Sequence, residues 1–173
     1  FSSRVAVASN TVGYMDSFKY STNGVPHGYS SLTPFLVLSN ARAALDFYAI
    51  VFDAHITDLT EINGAVAHAE LEFAVGRLQL GEPNPAYCLQ AAPESESDCY
   101  SLSYRCPDVD AVVERAVAAG ATVMEPVATF VSGDRFAVFR DPFGVRWSVM
   151  TRVEDISQQE SARRVAQWAA TQQ

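Results

Sequence analysis

Two segments of the chain show the same succession of hydrophobic and polar positions. In the first, a mostly apolar run from Thr33 ends at Asn40, and apolar residues at helical spacing follow. In the second, the run from Ser101 ends at Asp108, and a similar helical pattern is closed by Gly120. Each pattern predicts a strand followed by a helix with a polar N-cap. Since a shift of 68 residues maps Thr33 onto Ser101 and Asn40 onto Asp108 without a gap, the chain contains an internal repeat.

Three strand-like runs follow each predicted helix. They cover residues 55–62, 65–73 and 77–80 in the first segment, and residues 122–130, 135–139 and 145–151 in the second. Both segments therefore read β-α-β-β-β, which predicts an α+β fold of two tandem βαβββ modules. We place module one at residues 29–81 and module two at residues 99–155. The connector 82–98 is rich in Pro, Ser and acidic residues, which is typical of a surface linker.

Two pieces lie outside the repeat. Residues 1–28 form an N-terminal extension whose short apolar run is compatible with an extra strand or with an arm that binds a partner. Residues 156–173 predict a C-terminal helix, because Ser157 and Glu160 match a capping box and Trp168 belongs to an apolar face.

The charge balance limits the classes of partner. The chain has 173 residues with 20 acidic and 12 basic side chains, so its net charge of -8 disfavours nucleic acid and anionic membrane surfaces. The three cysteines have no CxxC spacing and predict no disulfide framework. No basic segment followed by a continuous apolar run precedes the first strand, so we expect neither a signal peptide nor a spanning helix, and a cytoplasmic location.

Several short motifs, in this order and spacing, resemble one known family. They are Ala-Leu-Asp46-Phe-Tyr48, Ala67-His-Ala-Glu-Leu and above all Asp141-Pro-Phe-Gly-Val-Arg-Trp-Ser148. Together they resemble the PhnB-like branch of the vicinal oxygen chelate superfamily, which comprises glyoxalases, bleomycin-resistance proteins and dioxygenases. The resemblance implies that each module forms half of a cup-like open barrel, and that two chains form a homodimer.

The resemblance also implies where a divalent metal would bind. Its four ligand positions fall on Thr33, Gln79, Ser101 and Ser148, with Ser103 as the alternative to Ser101. Neutral hydroxyl and carboxamide groups bind transition metals far more weakly than imidazole or carboxylate does, so we expect no metal cofactor. The same groups would suit a polar organic ligand, although they could equally hold only water.

Other polar residues share the predicted cup face through the two-residue period of strands. His68 and Glu70 could form an acid-base pair or a displaced metal site. Arg77, Arg105 and Arg146 could bind a carboxylate or phosphate, or could instead pair with acidic residues on neighbouring strands. The candidate catalytic residues are thus His68 and Glu70, and the candidate substrate-binding residues are Thr33, Arg77, Gln79, Ser101, Ser103, Arg105, Arg146 and Ser148.

These observations leave two functions open. The first is a metal-independent binding protein for a polar small molecule. The second is an enzyme of the superfamily, a lyase, isomerase or dioxygenase, which uses a displaced divalent metal or the His68/Glu70 pair. The fold alone does not decide between them.

Overall fold

A computed structural model of the chain describes residues 24–93 and 95–172. Most of the predicted N-terminal extension, residues 1–23, therefore lies outside the described residues. Module one contains β1 (Phe35–Val37), α1 (Ala41–Phe52), β2 (His55–Ile62), β3 (Ala65–Glu72) and β4 (Arg77–Gly81). Module two contains β5 (Leu102–Arg105), α2 (Val109–Ala118), β6 (Thr122–Thr129), β7 (Asp134–Arg140) and β8 (Arg146–Arg152), and α3 (Gln158–Ala170) follows.

The helices begin where their polar caps predict. Asn40 accepts a hydrogen bond from the backbone N–H of Ala43 over 3.2 Å, and Asp108 accepts one from Ala111 over 3.1 Å. Each side chain satisfies one of the backbone donors that the first turn of a helix leaves without a partner. Asn40 and Asp108 therefore cap the N-terminus of the helix in their respective modules in the same way.

The strands form two four-stranded sheets with the same topology. Sheet one has the order β1-β4-β3-β2 and sheet two the order β5-β8-β7-β6. The first strand of each module pairs in parallel with the last, while the remaining pairs are antiparallel. Phe35 lies opposite Gln79 in sheet one, and Ser103 lies opposite Ser148 in sheet two. The α+β fold of two tandem βαβββ modules is confirmed, and both sheets remain open.

Both sheets pack their apolar faces on the same helix layer. From α1, the ring of Phe52 lies 4.5 Å from that of Trp147 and 4.8 Å from that of Tyr104, both on sheet two. From α2, Arg115 donates two hydrogen bonds to the carbonyl oxygen of Val51 at the end of α1. One hydrophobic core thus joins the two modules. The polar faces of the two sheets point away from this core, so a single chain does not close them around a common space.

A buried carboxylate reinforces this junction. Oδ2 of Asp141 accepts hydrogen bonds from Tyr48 of α1 over 2.8 Å and from the indole N–H of Trp147 over 3.0 Å. Oδ1 accepts from the backbone N–H groups of Phe143 and Val145, both over 2.9 Å. Burial raises the pKa of Asp141, although all these donors act to lower it. The turn after β7 is therefore tied to its own strand and to module one.

The C-terminal helix is attached by few contacts. Ser157 caps it by accepting from the N–H of Glu160 over 3.1 Å, as the sequence predicts. The ring of Trp168 packs 4.9 Å from that of Phe130, but the side chain remains 42% exposed. Ser161 adds one hydrogen bond to the chain before β7. Among the described helices, none has the length and apolar character needed to cross a bilayer.

Candidate ligand-binding site on the polar sheet faces

The module-one face is the polar side of sheet one, formed by the side chains of His68, Glu70, Glu72, Arg77 and Gln79. Strand pairing places Glu70 opposite Gln79 and Glu72 opposite Arg77. Directly opposed side chains in an antiparallel pair lie close enough to interact. The sequence predicted this shared face, and the structure brings three of its candidate residues, Glu70, Arg77 and Gln79, into direct contact.

Glu70 is the centre of a closed hydrogen-bond network. Its side chain is buried, with the residue only 3% exposed. Oε1 accepts from the hydroxyl of Tyr29 over 2.6 Å and from Thr57 over 3.3 Å, and it also accepts from NH1 of Arg77. Oε2 accepts from the carboxamide of Gln79 over 3.0 Å. The carboxylate therefore has a donor at each oxygen before any ligand binds.

These donors keep Glu70 ionised. Burial by itself raises the pKa of this carboxyl, but the hydrogen bonds from Tyr29, Gln79 and Arg77, together with the charge of Arg77, outweigh it and lower the pKa to about 2. The hydrogen bond to Glu70 in turn raises the pKa of Tyr29, so the phenol stays protonated as a donor. Near neutral pH, Glu70 is a fixed negative charge and a poor proton carrier.

Arg77 is also fully engaged by the protein. NH2 donates to Glu72 over 2.8 Å, and Nε donates to the carbonyl oxygen of Gly28 over 3.1 Å. The guanidinium also stacks on Tyr29, with its carbon 4.2 Å from the ring centre. Of the two roles that the sequence left open for Arg77, the geometry favours pairing with acidic neighbours over binding an external anion.

His68 does not contact Glu70 through a hydrogen bond; it pairs with a different carboxylate. Its Nδ1 lies 3.0 Å from Oδ2 of Asp58 on β2, and both side chains are well exposed, at 38% and 55%. Such a pair orients the imidazole on the module-one face. The predicted pairing of His68 with Glu70 is thus replaced by a pair with Asp58, and a catalytic role for either residue stays a prediction.

The module-two face is the polar side of sheet two, centred on Ser103 and Ser148, which pair directly. Arg146 lies between Glu125, at 3.3 Å, and Asp98, at 3.7 Å. Ser101 hydrogen-bonds only weakly to the backbone oxygen of Arg146, over 3.4 Å. In the described residues, this face has no carboxylate network at its centre comparable to the one around Glu70.

The register resolves the choice between two serines. Phe35 faces Gln79 in sheet one as Ser103 faces Ser148 in sheet two. Ser103 is therefore the directly paired position, and Ser101 lies just before β5. By the same comparison Thr33 precedes β1, and the aromatic ring of Phe35 occupies the equivalent position beside Gln79. This substitution makes module one less polar at that point than expected.

The residues present do not fit a divalent metal of the kind the resemblance implies. The positions carry a carboxamide, hydroxyls and a phenyl ring, and Glu70, the nearest carboxylate, already accepts four hydrogen bonds from side chains. Within residues 24–93 and 95–172, no three His, Cys, Asp or Glu side chains cluster closely enough to hold a metal ion. Asp58 lies beside His68, but the saturated carboxylate of Glu70 has no free oxygen to complete a displaced site with them.

Two cavities lie away from these faces. Each measures about 610 Å³; one lies between the start of α1, the linker and the turn at Asp141, and the other lies between the ends of the modules near Phe73 and Pro107. Neither contains the serines or the Glu70 network. The polar groups that converge lie on the sheet faces, where a second chain would enclose them.

Sequence reasoning missed several members of these networks. Tyr29 precedes the first predicted strand and belongs to no periodic pattern. Thr57 and Asp58 lie on β2, whose pairing with β3 contains irregularities, so simple alternation does not show which of its side chains share a face. Asp134 and Arg152 were also missed. These two residues lie directly opposite each other on β7 and β8, and this pairing can be recognised only when the register of the two strands is known.

The family model described as "Glyoxalase/Bleomycin resistance protein/Dioxygenase superfamily" matches residues 32–149. Uncharacterized protein Mb0911c of Mycobacterium bovis is 33% identical over 134 residues, which cover 75% of this chain and 88% of that protein. Uncharacterized protein Rv0887c of Mycobacterium tuberculosis has the same identity, with 75% of this chain and 79% of that protein covered.

Solved structures share the fold. TioX from Micromonospora sp. ML1 superposes with a TM-score of 0.58 at 23% identity, covering 71% of this chain and 98% of TioX. A glyoxalase/bleomycin resistance protein/dioxygenase family enzyme from Burkholderia phytofirmans has a TM-score of 0.56 at 19% identity, covering 72% of this chain and 97% of that chain. At these identities the likeness concerns the fold alone.

Proposed function

The chain belongs to the glyoxalase/bleomycin resistance protein/dioxygenase superfamily, and on that premise we propose that it is a metal-independent binding protein for a polar small molecule. One observation carries the proposal: Glu70, the carboxylate in contact with Gln79, is saturated by its own donors, while Gln79, Ser103 and Ser148 are neutral. Such neutral groups can form hydrogen bonds with an organic ligand, but they are weak ligands for a divalent metal.

The proposed binding protein is a homodimer. Both polar faces point away from the core of their own chain, so a ligand on one face remains open to solvent unless a second copy covers it. Pairing the module-one face of one protomer with the module-two face of its partner would produce two cups related by twofold symmetry. Placement in the PhnB-like branch rests on the motifs quoted above, and a cytoplasmic location stays a prediction.

Metal analysis and ligand screening test the proposal together. Protein purified without chelator should contain far less than one Zn, Ni, Fe or Mn per chain, should sediment as a dimer, and should be thermally stabilised by compounds from a polar organic library. Ser148→Leu should remove that stabilisation, because it replaces a central hydroxyl of the module-two face. Ser97→Leu, in the exposed linker, should leave it intact.

Two results would overturn the proposal. Stoichiometric metal that disappears in His68→Ala would establish a displaced metal site. Alternatively, the absence of any stabilising compound in a dimeric and metal-free preparation would remove the binding function.

An acid-base enzyme is the second candidate, and the His68–Asp58 pair favours it. Asp58 would hold the proton on Nδ1 and leave Nε2 to take a proton from a bound substrate. If so, NMR spectra of a stabilising compound incubated with the protein would show its conversion, and His68→Gln would slow it about 100-fold. His55→Gln should not slow it. Unchanged spectra would exclude this candidate for that compound.

A further inference from the structure

Two arginines converge on one buried carboxylate at the end of the module-two face. NH1 of Arg105 donates to Oδ1 of Asp134 over 3.1 Å, and Nε of Arg152 lies 3.1 Å from the same oxygen. Asp134 is 8% exposed, whereas the side chains of Arg105 and Arg152 are 61% and 41% exposed. The negative charge is thus enclosed while both positive groups reach solvent.

The carboxylate of Asp134 neutralises only one of the two guanidinium charges and accepts few of their hydrogen bonds. A carboxylate offers about four acceptor positions, whereas two guanidinium groups present about ten N–H donors. The hydroxyl of Ser132 donates a hydrogen bond to Oδ2 of Asp134 over 3.1 Å, and NH1 of Arg152 donates one to the backbone oxygen of Ser132 over 2.7 Å. Within the described part of the chain, one net positive charge and several donors of both arginines remain at this end of the face, on a protein whose overall charge is -8.

The backbone is shaped to hold this arrangement. Gly133 has a φ of +84°, and a Cβ at this position would lie 3.0 Å from NH1 of Arg152 and 3.1 Å from the carbonyl oxygen of Glu154. The left-handed conformation favours a glycine here, and a larger residue would crowd the guanidinium of Arg152. The turn before β7 fixes Arg152 and Asp134 together.

A groove and the strand register connect these residues to the candidate site. Arg105 and Arg152 both line a shallow groove of about 390 Å³. Arg152 lies opposite Asp134, and Arg105 lies opposite Met150, which is two residues from Ser148 on the same strand. All these side chains share the module-two face, because residues two apart on a strand point to the same side.

We propose that Arg105 and Arg152, oriented by Asp134, form an anion-binding subsite for a carboxylate or phosphate group. The subsite implies that the polar ligand of the proposed function carries an acidic group, and this implication rests on the proposed function. Guanidinium groups bind planar or tetrahedral oxyanions through paired, charge-assisted hydrogen bonds. Arg105 was a candidate from the sequence, whereas Arg152 and Asp134 are assigned by the structure.

Titrations of the full chain with inorganic phosphate and with glutarate, at constant ionic strength, test the subsite. Saturable binding should perturb backbone amide resonances around residues 132–134 and 105–106. Arg152→Gln and Arg105→Gln should each weaken binding about tenfold, which corresponds to the loss of one charge-assisted contact. Arg42→Gln removes the same charge from an exposed pair with Glu61 on module one and should leave the affinity unchanged.

The outcomes separate the subsite from the wider function. Tighter phosphate binding identifies a phosphate group and tighter glutarate binding identifies a carboxylate; either result supports the subsite. Binding that is absent, or that falls equally in Arg42→Gln, overturns it, and any organic ligand found by thermal screening would then still support the proposed function. If phosphate binds while no organic compound stabilises the chain, the subsite stands and the proposed function fails.

Discussion

The two modules each contain a buried carboxylate surrounded by donors, yet the net pKa shifts of Glu70 and Asp141 have opposite signs. Both accept hydrogen bonds at both oxygens. Burial raises the pKa of both carboxyls, but the pKa of Glu70 is lowered to about 2 overall, whereas that of Asp141 stays raised. A guanidinium from Arg77 contacts Glu70, whereas the four donors of Asp141 are neutral.

The difference shows that hydrogen bonds alone do not ensure that a buried carboxyl is ionised. Neutral donors compensate part of the lost hydration, and a cation adds a charge interaction that is stronger inside the protein than in water. Glu70 lies on a polar face where Arg77 can reach it from a neighbouring strand. Asp141 lies at the junction between modules, where Tyr48 and Trp147 supply hydroxyl and indole donors within an apolar core.

The largest effect is expected from removing the carboxylate at the junction. Asp141→Ala deprives Tyr48 and Trp147 of a buried acceptor and releases the turn after β7, so it should lower the free energy of unfolding by about 4 kcal/mol. Guanidinium-induced unfolding measures the change. Asp58→Ala, which breaks an exposed pair, should cost at most about 1 kcal/mol. A loss below that value for Asp141→Ala would refute its structural role.

A smaller effect, with a distinct pH dependence, is expected at the other carboxylate. Glu70→Gln should cost about 2 kcal/mol at pH 7, because a neutral amide replaces an ion that Tyr29, Gln79 and Arg77 stabilise. Between the ordinary value of 4.5 and about 2, the unfolded state binds the proton more readily than the folded state, so the wild type loses this contribution as the pH falls. Urea unfolding from pH 7 to pH 3 should show the deficit of the variant shrinking.

Asp141→Asn provides the matched control with the opposite sign. Because its pKa is raised, Asp141 binds a proton more readily in the folded state, and the stability linked to it decreases as the pH rises through the raised value. The deficit of Asp141→Asn should therefore grow on acidification, while that of Glu70→Gln shrinks. Parallel trends in the two variants would contradict the comparison.

The smallest effect concerns a single donor. Tyr48→Phe removes one hydrogen bond to Asp141 but leaves the aromatic packing, so it should cost about 1 kcal/mol in thermal or chemical unfolding. Tyr87→Phe, on an exposed tyrosine of the linker, should change the stability by less than about 0.5 kcal/mol. Equal effects of the two variants would show that the hydroxyl of Tyr48 does not hold the modules together.

The candidate site could be predicted only in part. Alternation on β3 correctly grouped His68 with Glu70, and the family resemblance identified Gln79 and Ser148 as matching positions of the two modules. The partners of these residues could not be derived, because Tyr29 and Asp58 reach the site from segments far away in sequence or across an irregular strand pair. The alternation of residues along a strand shows which side chains share a face, but the contacts between side chains depend on the register of the neighbouring strand.

What the sequence determined by itself was local and periodic. Capping residues such as Asn40 and Asp108, the hydrophobic spacing of the helices and the repeat between modules specify the elements and their order, because each depends on neighbours a few residues apart. The tertiary structure decided which charges meet: Arg77 with Glu70, Arg152 with Asp134, and Tyr48 with Asp141. These contacts depend on strand register and on the packing of two sheets against one helix layer, which no local pattern specifies.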